Sequence, residues 1–127
     1  TDIEFTSRIA SDLPPLMADT LKLKQTLLNL LNNAKDAVLS CPDSESPAIR
    51  LDAEHIGQTL HIKISDNGSG IDAKDVPTIF EPFVTHKRSG TGLGLAIARR
   101  IITAHNGSIQ VESILGKGSV FTIVLPI

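Results

Sequence analysis

The chain has 127 residues, of which 41% are hydrophobic and 20% are charged, which suits one globular domain with its own core. Twelve basic and fourteen acidic residues give a formal net charge of −2, which argues against a nucleic-acid surface or a polybasic membrane patch. We expect neither a membrane-spanning helix nor a signal peptide, because the longest apolar runs are far short of a membrane span and no positively charged leader precedes an apolar stretch. With a single cysteine, Cys41, a reducing cytoplasmic setting is the expectation.

The first half of the chain predicts two short strands, a long helix and a hairpin. The strands fall at residues 3–6 and 16–18, and Asp19 or Thr20 caps a helix over residues 21–39. Apolar residues recur in that helix by threes and fours, as a core-facing stripe requires: Leu23, Leu27, Leu30, Leu31, Ala34 and Val38. Alternation over residues 49–54 and 60–65 then predicts a hairpin that places Asp66 at a strand end, facing a crevice.

The second half predicts a short helical turn, a polar loop, a helix and a last hairpin. The helical turn covers residues 72–81 and is broken at Pro77. The later helix ends at Asn106–Gly107, where His105 is placed to complement the helix dipole as a cation. The predicted fold class is therefore α/β, a two-layer α/β sandwich in which about three helices cover one face of a mixed, mostly antiparallel sheet. Residues 1–127 form one domain in this prediction.

Two glycine-containing turns stand out, at residues 66–71 and 90–95. Glycine is unfavourable in regular structure by about 0.5–1 kcal/mol relative to alanine, so clustered glycines suggest a backbone that a ligand approaches closely. The second turn opens a helix, and free N–H groups at a helix start bind anions. Phosphate is the ligand that this pattern predicts.

One face of the first helix carries amides and a carboxylate. Gln25, Asn29, Asn33 and Asp36 form a stripe opposite the apolar one. A solvated polar face is the alternative interpretation. Asparagine is a poor helix former, however, and a neutral amide oxygen can ligate Mg²⁺ beside a triphosphate.

Five short stretches together resemble the sequence boxes of sensor histidine kinases. They are the asparagine box at residues 28–34, the aspartate-glycine box at 66–71, the phenylalanine box at 80–83 and two glycine boxes at 90–95 and 116–121. The resemblance covers the whole chain as the catalytic, ATP-binding domain of a two-component kinase. It implies the Bergerat ATP-binding fold, which is shared with gyrase, MutL and a heat-shock chaperone.

The resemblance implies roles for individual residues. Asn33 would ligate Mg²⁺, Lys87 would contact the γ-phosphate, and both count as catalytic. Asp66 would accept the adenine amino hydrogen, and Ser119, with Thr122 as the alternative, would complete the base contacts through water. The remaining nucleotide-binding residues that it implies are Asn29, Asp36, Gly68, Gly70, Ile71, Phe83, Arg88, Gly90, Thr91, Gly92, Leu93, Gly94 and Leu95. Lys87 and Arg88 are equally typical of a solvated pair, and His86 departs from the family pattern.

The implied activity is transfer of the ATP γ-phosphoryl group to a histidine on a separate helical hairpin, for two-component signalling to a response regulator. ATP and Mg²⁺ are the implied cofactors. The hairpin is absent from this chain, which is expected to be monomeric, whereas the parent kinase would be a homodimer and either cytoplasmic or an inner-membrane sensor.

Two other functions remain open at this point. An ATP-hydrolysing clamp of the same superfamily typically has a glutamate where this chain has Asn29, and an amide cannot act as a general base. A binding module that has lost catalysis is the third interpretation.

Overall fold

A computed structural model of the protein describes residues 3–13, 18–40, 46–82 and 94–127, and these residues form five strands and two α-helices. In chain order the elements are β1 (Glu4–Ile9), α1 (Thr20–Leu39), β2 (Ala48–Ile56), β3 (Thr59–Asp66), a 3₁₀ turn (Val76–Thr78), α2 (Gly94–Ala104), β4 (Ser108–Ile114) and β5 (Gly118–Pro126). No helix in these ranges is long and apolar enough to cross a membrane.

The strands form one mixed sheet in the order β1-β2-β3-β5-β4. β1 pairs with β2 in parallel, and the other three pairings are antiparallel. Both helices contribute buried residues to the same core as β2, β3 and β5, so they cover one face of the sheet. The two-layer α/β sandwich with a mixed, mostly antiparallel sheet is therefore confirmed.

Two predictions about elements need correction. The described residues contain two α-helices rather than about three, because residues 72–81 form only the single 3₁₀ turn Val76–Thr78. Pro77 lies in this turn, and proline lacks a backbone donor and disfavours a helical conformation in the preceding residue. The strand expected at residues 16–18 lies mostly outside the described residues, and Ala18 is not in a strand.

The long helix α1 forms where the sequence predicts it. Asp19 is its N-cap, and the carboxylate accepts a hydrogen bond from the Lys22 N–H at 3.1 Å. Along its inner face Leu30, Ala34 and Val38 are buried, and leucines on either side pack against the same core. The apolar stripe therefore fixes which face of α1 packs on the core, and Asn29, Asn33 and Asp36 lie on a different, half-buried face.

Asp66 is the last residue of β3, as predicted. In the sheet register it lies opposite Ile49 of β2 and Ser119 of β5. The chain does not return as a hairpin after Asp66, since the next strand in sequence is β4. Instead, residues 66–71 cross the end of the sheet between α1 and the β4–β5 hairpin.

Candidate functional site

A buried carboxylate without a complete set of partners marks the end of β3. Asp66 is 9% exposed. Its Oδ1 accepts a hydrogen bond from the Gly68 N–H at 2.9 Å, whereas its Oδ2 has no hydrogen-bond partner among the described residues. A buried oxygen acceptor without a donor is costly, so this oxygen is suited to a ligand that brings an N–H group.

Burial raises the pKa of Asp66, because the charged form loses its hydration. The backbone N–H groups of Gly68 and Ser119 act in the opposite direction and stabilise the ionised form. The net direction is upward. Since the ionised carboxylate is the stronger acceptor, a ligand that donates to Oδ2 favours ionisation of Asp66.

Ser119 shares the Asp66 side of the sheet. The two residues are direct cross-strand partners, which places their side chains on one face about 5 Å apart at Cβ. Ser119 is 5% exposed, and its hydroxyl contacts the Ser113 hydroxyl at 2.8 Å. Thr122 pairs with Lys63 and lies on the opposite face, so the structure brings Ser119 and not Thr122 to Asp66.

A pocket of about 360 Å³ lies at this end of the sheet. Its lining residues are Asp66, Glu112, Ser113, Ile114, Lys117, Gly118, Ser119 and Val120. The pocket reaches the carboxylate from the side of the β4–β5 hairpin. It does not extend to Asn29 or Asn33, and it accounts for only one end of the predicted site.

Gly68 and Gly70 are needed because the chain passes very close to other backbone. A Cβ at Gly68 would lie 2.4 Å from the carbonyl carbon of Ala37 in α1. A Cβ at Gly70, whose φ is +70°, would lie 2.1 Å from the Ile114 carbonyl oxygen. The sequence suggests that these glycines admit a ligand, but the close approach is to the protein's own backbone.

The loop that contains the two glycines is anchored at three points. The Asn67 side chain accepts from the Ala48 N–H at 2.8 Å and donates to the Ser46 carbonyl at 2.7 Å. The Ile71 N–H donates to the Ser113 hydroxyl at 2.7 Å. The Ile71 side chain packs against the core. Its predicted place beside a purine stays a prediction, and the hydrogen bond to Ser113 fixes only the position of its backbone.

The polar residues of α1 lie on a half-buried face toward α2. Asn29 donates its amide hydrogen to the Gly94 carbonyl at 3.2 Å, while Asn33 and Asp36 follow on the same stripe. Gly94 begins α2, and a Cβ there would meet no atom within 4 Å. The structure thus brings Asn29 to the start of the helix that the glycine turn opens. Leu95, in contrast, packs against the hydrophobic core.

The amide face fits Mg²⁺ held mainly by phosphate. The described residues contain no cluster of three or more His, Cys, Asp or Glu side chains that could hold a metal ion. Mg²⁺ keeps several waters and needs few protein ligands when phosphate oxygens are present. The Asn33 amide oxygen is the kind of neutral donor that such an ion requires, so the residues present fit the ion.

Part of the predicted site lies outside the described residues. It comprises Phe83, His86, Lys87, Arg88, Gly90, Thr91, Gly92 and Leu93. Their predicted contacts with nucleotide and phosphate stay predictions. Phe80, the neighbour of this segment, packs against the core, with its ring edge-on to Phe121 at 6.2 Å and the Arg99 guanidinium 5.8 Å from its ring centre.

His105 lies at the end of α2, as predicted, and makes a second contact that the sequence did not predict. Its Nε2 accepts a hydrogen bond from the Asp19 N–H at 3.0 Å, and its Nδ1 contacts the Ile101 carbonyl at 2.8 Å. The ring therefore contacts a carbonyl of the last turn of α2 with one nitrogen and the backbone of Asp19 with the other. Its role is to connect the end of α2 to the N-cap of α1.

Sequence reasoning missed the role of Ser113 beside Asp66 and the contact that His105 makes at the other end of the helix pair. Ser113 organises three groups around the carboxylate end, and His105 links the two helices. Ser113 lies on an inward position of β4, opposite Ser119, and a polar residue at an inward strand position was the available signal. No local signal in the sequence identifies the Asp19–His105 hydrogen bond, because the residues are 86 positions apart.

The fold and site together define a class, the two-layer α/β domain with a helix pair on one face of a mixed sheet and a buried carboxylate at the end of a strand. A family described as histidine kinase-, DNA gyrase B- and HSP90-like ATPases matches residues 18–127. The chain therefore belongs to this family.

Two relatives with similar sequences are named as histidine kinases. The chain is 45% identical over 126 residues to the signal transduction histidine-protein kinase AtoS of Escherichia coli K12, covering 98% of this chain and 20% of AtoS. It is 43% identical over 115 residues to the sensor histidine kinase ZraS of the same organism, covering 91% of this chain and 24% of ZraS. The chain thus corresponds to a fifth to a quarter of the length of these kinases.

Solved structures of histidine kinases share the fold of this chain. The catalytic domain of the histidine kinase ThkA superposes with a TM-score of 0.83 at 33% identity, covering 98% of this chain and 78% of that one. Full-length ShkA, solved in complex with AMPPNP, superposes with a TM-score of 0.83 at 34% identity, covering 98% of this chain and 25% of ShkA.

Proposed function

We propose that this chain, over residues 1–127, is the Mg²⁺–ATP-binding catalytic domain of a sensor histidine kinase. In this proposal it transfers the γ-phosphoryl group of ATP to a histidine on a separate helical hairpin domain. The observation that carries the proposal is the buried Oδ2 of Asp66, which has no partner among the described residues. The kinase names of the relatives and the AMPPNP complex of ShkA support it.

The pocket that contains the Asp66 carboxylate recognises adenine in this proposal. The Asp66 Oδ2 accepts a hydrogen from the exocyclic amine, and burial strengthens this charge-assisted bond. A base with a carbonyl at the same position brings two acceptors together and leaves Oδ2 unpaired. Ser119, on the same face, completes the contacts with the base through a water molecule. Selectivity for adenine therefore follows from the donor and acceptor pattern.

The amide face of α1 binds the triphosphate. Asn33 supplies an amide oxygen to Mg²⁺, and Asn29, one turn earlier and tied to the Gly94 carbonyl, lies beside the phosphates. Bound Mg²⁺ neutralises phosphate charge during transfer. The α2 N-terminus offers N–H groups and the positive end of its dipole to the phosphates. Lys87, Arg88 and the glycine turn complete the phosphate contacts in this proposal.

In the proposed reaction, the main contribution of this chain is to position the ATP γ-phosphoryl group. Phosphoryl transfer requires in-line approach and charge neutralisation rather than covalent participation by the enzyme. The nucleophile is an imidazole nitrogen of the hairpin, and the phosphoryl group then passes to an aspartate of a response regulator. The parent kinase in this proposal is a homodimer, and this domain alone is monomeric.

A combined binding and turnover measurement tests the proposal. Mg²⁺–ATP is titrated into the chain in a calorimeter, and phosphate release is followed in the same sample. We expect saturable binding at one site and no continuing phosphate release, because the acceptor histidine is not supplied. Sustained release would favour an ATP-hydrolysing clamp, and the absence of binding heat would favour a module without nucleotide function.

A further inference from the structure

The Ser113 hydroxyl makes three polar contacts and has only one hydrogen. The Ile71 N–H donates to its Oγ at 2.7 Å, the Gly118 carbonyl oxygen lies at 3.0 Å, and the Ser119 Oγ lies at 2.8 Å. A serine hydroxyl offers one donor and two acceptor sites. The carbonyl of Gly118 can only accept, so the Ser113 hydrogen points to it.

The hydrogen of Ser119 is then determined as well. The Ile71 N–H occupies one acceptor site of Ser113, and the second site is left for the Ser119 O–H. This is the one arrangement in which all three contacts are hydrogen bonds. The Ser119 hydroxyl consequently presents only lone pairs to the space beside Asp66.

We propose that Ser113 is a specificity-determining residue, which holds the Ser119 hydroxyl as an acceptor and thereby keeps it from donating a hydrogen to the base beside Asp66. Asp66 and Ser119 are cross-strand partners on one face, and the Asp66 Oδ2 lacks a partner among the described residues. The inference rests on the proposed binding of adenine nucleotide. It adds a reason why a base with a carbonyl at this edge, such as hypoxanthine, is rejected.

Replacing Ser113 by alanine frees the Ser119 hydrogen. The hydroxyl can then turn toward the bridging water and donate to it, and the water in turn donates to the O6 carbonyl of inosine triphosphate. Loss of the hydrogen bond between the Ile71 N–H and Ser113 weakens the binding of ATP and of inosine triphosphate equally. Release of the Ser119 hydrogen, in contrast, strengthens the binding of inosine triphosphate alone. The ratio of the two dissociation constants therefore separates the specificity role from a purely structural one.

The test measures dissociation constants of ATP and inosine triphosphate, both with Mg²⁺, for four proteins: the wild type, Ser113→Ala, Ser113→Thr and the double variant Ser113→Ala/Ser119→Ala. We expect Ser113→Ala to lower the preference for ATP about tenfold. Ser113→Thr retains the hydroxyl and keeps the wild-type preference. In the double variant the tenfold change disappears, because the Ser119 hydroxyl is no longer present to donate.

An unchanged preference in Ser113→Ala, or a change that persists in the double variant, overturns the inference while adenine binding stands. A wild type that binds neither nucleotide, or binds both equally, overturns the proposed function and this inference with it. Circular dichroism checks folding. If Ser113→Ala does not fold, Ser113→Cys replaces it, because a thiol is a weak acceptor and loosens the Ser119 hydrogen in the same way.

Discussion

At the scale of single residues, Asp66 concentrates the chemistry of the described site. A carboxylate that is nine-tenths buried loses much of its hydration, and only one of its oxygens regains a hydrogen bond. Such an arrangement lowers stability in the free protein, since a buried acceptor without a donor is unfavourable by about 1–3 kcal/mol. A bound amine relieves this cost, which is why the residue points to a ligand rather than to the fold.

Removing the charge of Asp66 tests its role. We expect Asp66→Asn to weaken Mg²⁺–ATP binding by at least about tenfold, because hydrogen bonds to charged groups contribute about 1.5–3 kcal/mol. Calorimetric titration measures the affinity. Asp52→Asn is the matched control: this aspartate lies on β2, pairs with Arg50 at 3.0 Å and is expected to leave affinity unchanged. Equal affinities in wild type and Asp66→Asn would contradict the assignment.

The raised pKa of Asp66 predicts how binding depends on pH. The nucleotide amine requires the ionised carboxylate, so adenosine affinity should fall as pH falls through the raised pKa, at higher pH than for an exposed aspartate. The unliganded protein has the opposite dependence: the Asp66 contribution to stability is present below its unfolded-state pKa and is lost as pH rises through the folded one. Fluorescence or calorimetric titrations with adenosine across acidic pH measure the first effect, with Asp66→Asn as the control that lacks it.

At the scale of elements, the site depends on how α1 and α2 lie against each other. They run antiparallel, and two hydrogen bonds between a side chain and backbone tie them, from Asn29 to Gly94 and between Asp19 and His105. The bonded positions are ten residues apart on α1, about 15 Å of helix, and eleven apart on the other side. Matched spacing lets both bonds form at once, and this fixes the amide face of α1 beside the start of α2.

Loss of the Asp19–His105 bond should loosen the helix pair. We expect His105→Leu to lower the free energy of unfolding by about 1 kcal/mol, the net value of one hydrogen bond. Urea denaturation measures the change. His55→Leu serves as the control, because the His55 ring has a surface hydrogen bond with the exposed Asp12, and such surface contacts contribute little. Equal destabilisation by both substitutions would argue against the helix link.

Substitution of Gly68, in the loop after β3, should destabilise the protein more than substitution of Gly94, which begins α2. Gly68→Ala puts a Cβ 2.4 Å from backbone of α1, so we expect at least about 2 kcal/mol of destabilisation. Gly94→Ala meets no atom within 4 Å and should change stability by less than about 0.5 kcal/mol. Thermal or urea unfolding measures both. Similar stability in the two variants would mean that the loop does not lie against α1 as described.

At the scale of the whole molecule, sequence pattern predicts the layers better than the contacts between them. The threes and fours of α1 and the alternation of β2, β3 and β5 follow from local geometry, so those elements lie where the pattern places them. Pairing partners such as Asp66 and Ser119 are set by the order of strands, which local periodicity does not encode. The hydrogen bonds from Ile71 to Ser113 and from Asp19 to His105 span 42 and 86 positions, so local pattern does not reveal them, whereas the inward position of Ser113 follows from the alternation of β4.

In the proposed function, Asp66 at the end of β3 receives the adenine amine of ATP. A crystal structure of this chain with Mg²⁺ and a non-hydrolysable ATP analogue measures it most directly. We expect the adenine N6 within about 2.7–3.2 Å of the Asp66 Oδ2, with the phosphates toward Asn33 and the start of α2. An analogue bound elsewhere, or a base whose N6 lies beyond hydrogen-bond distance of Asp66, would contradict the claim.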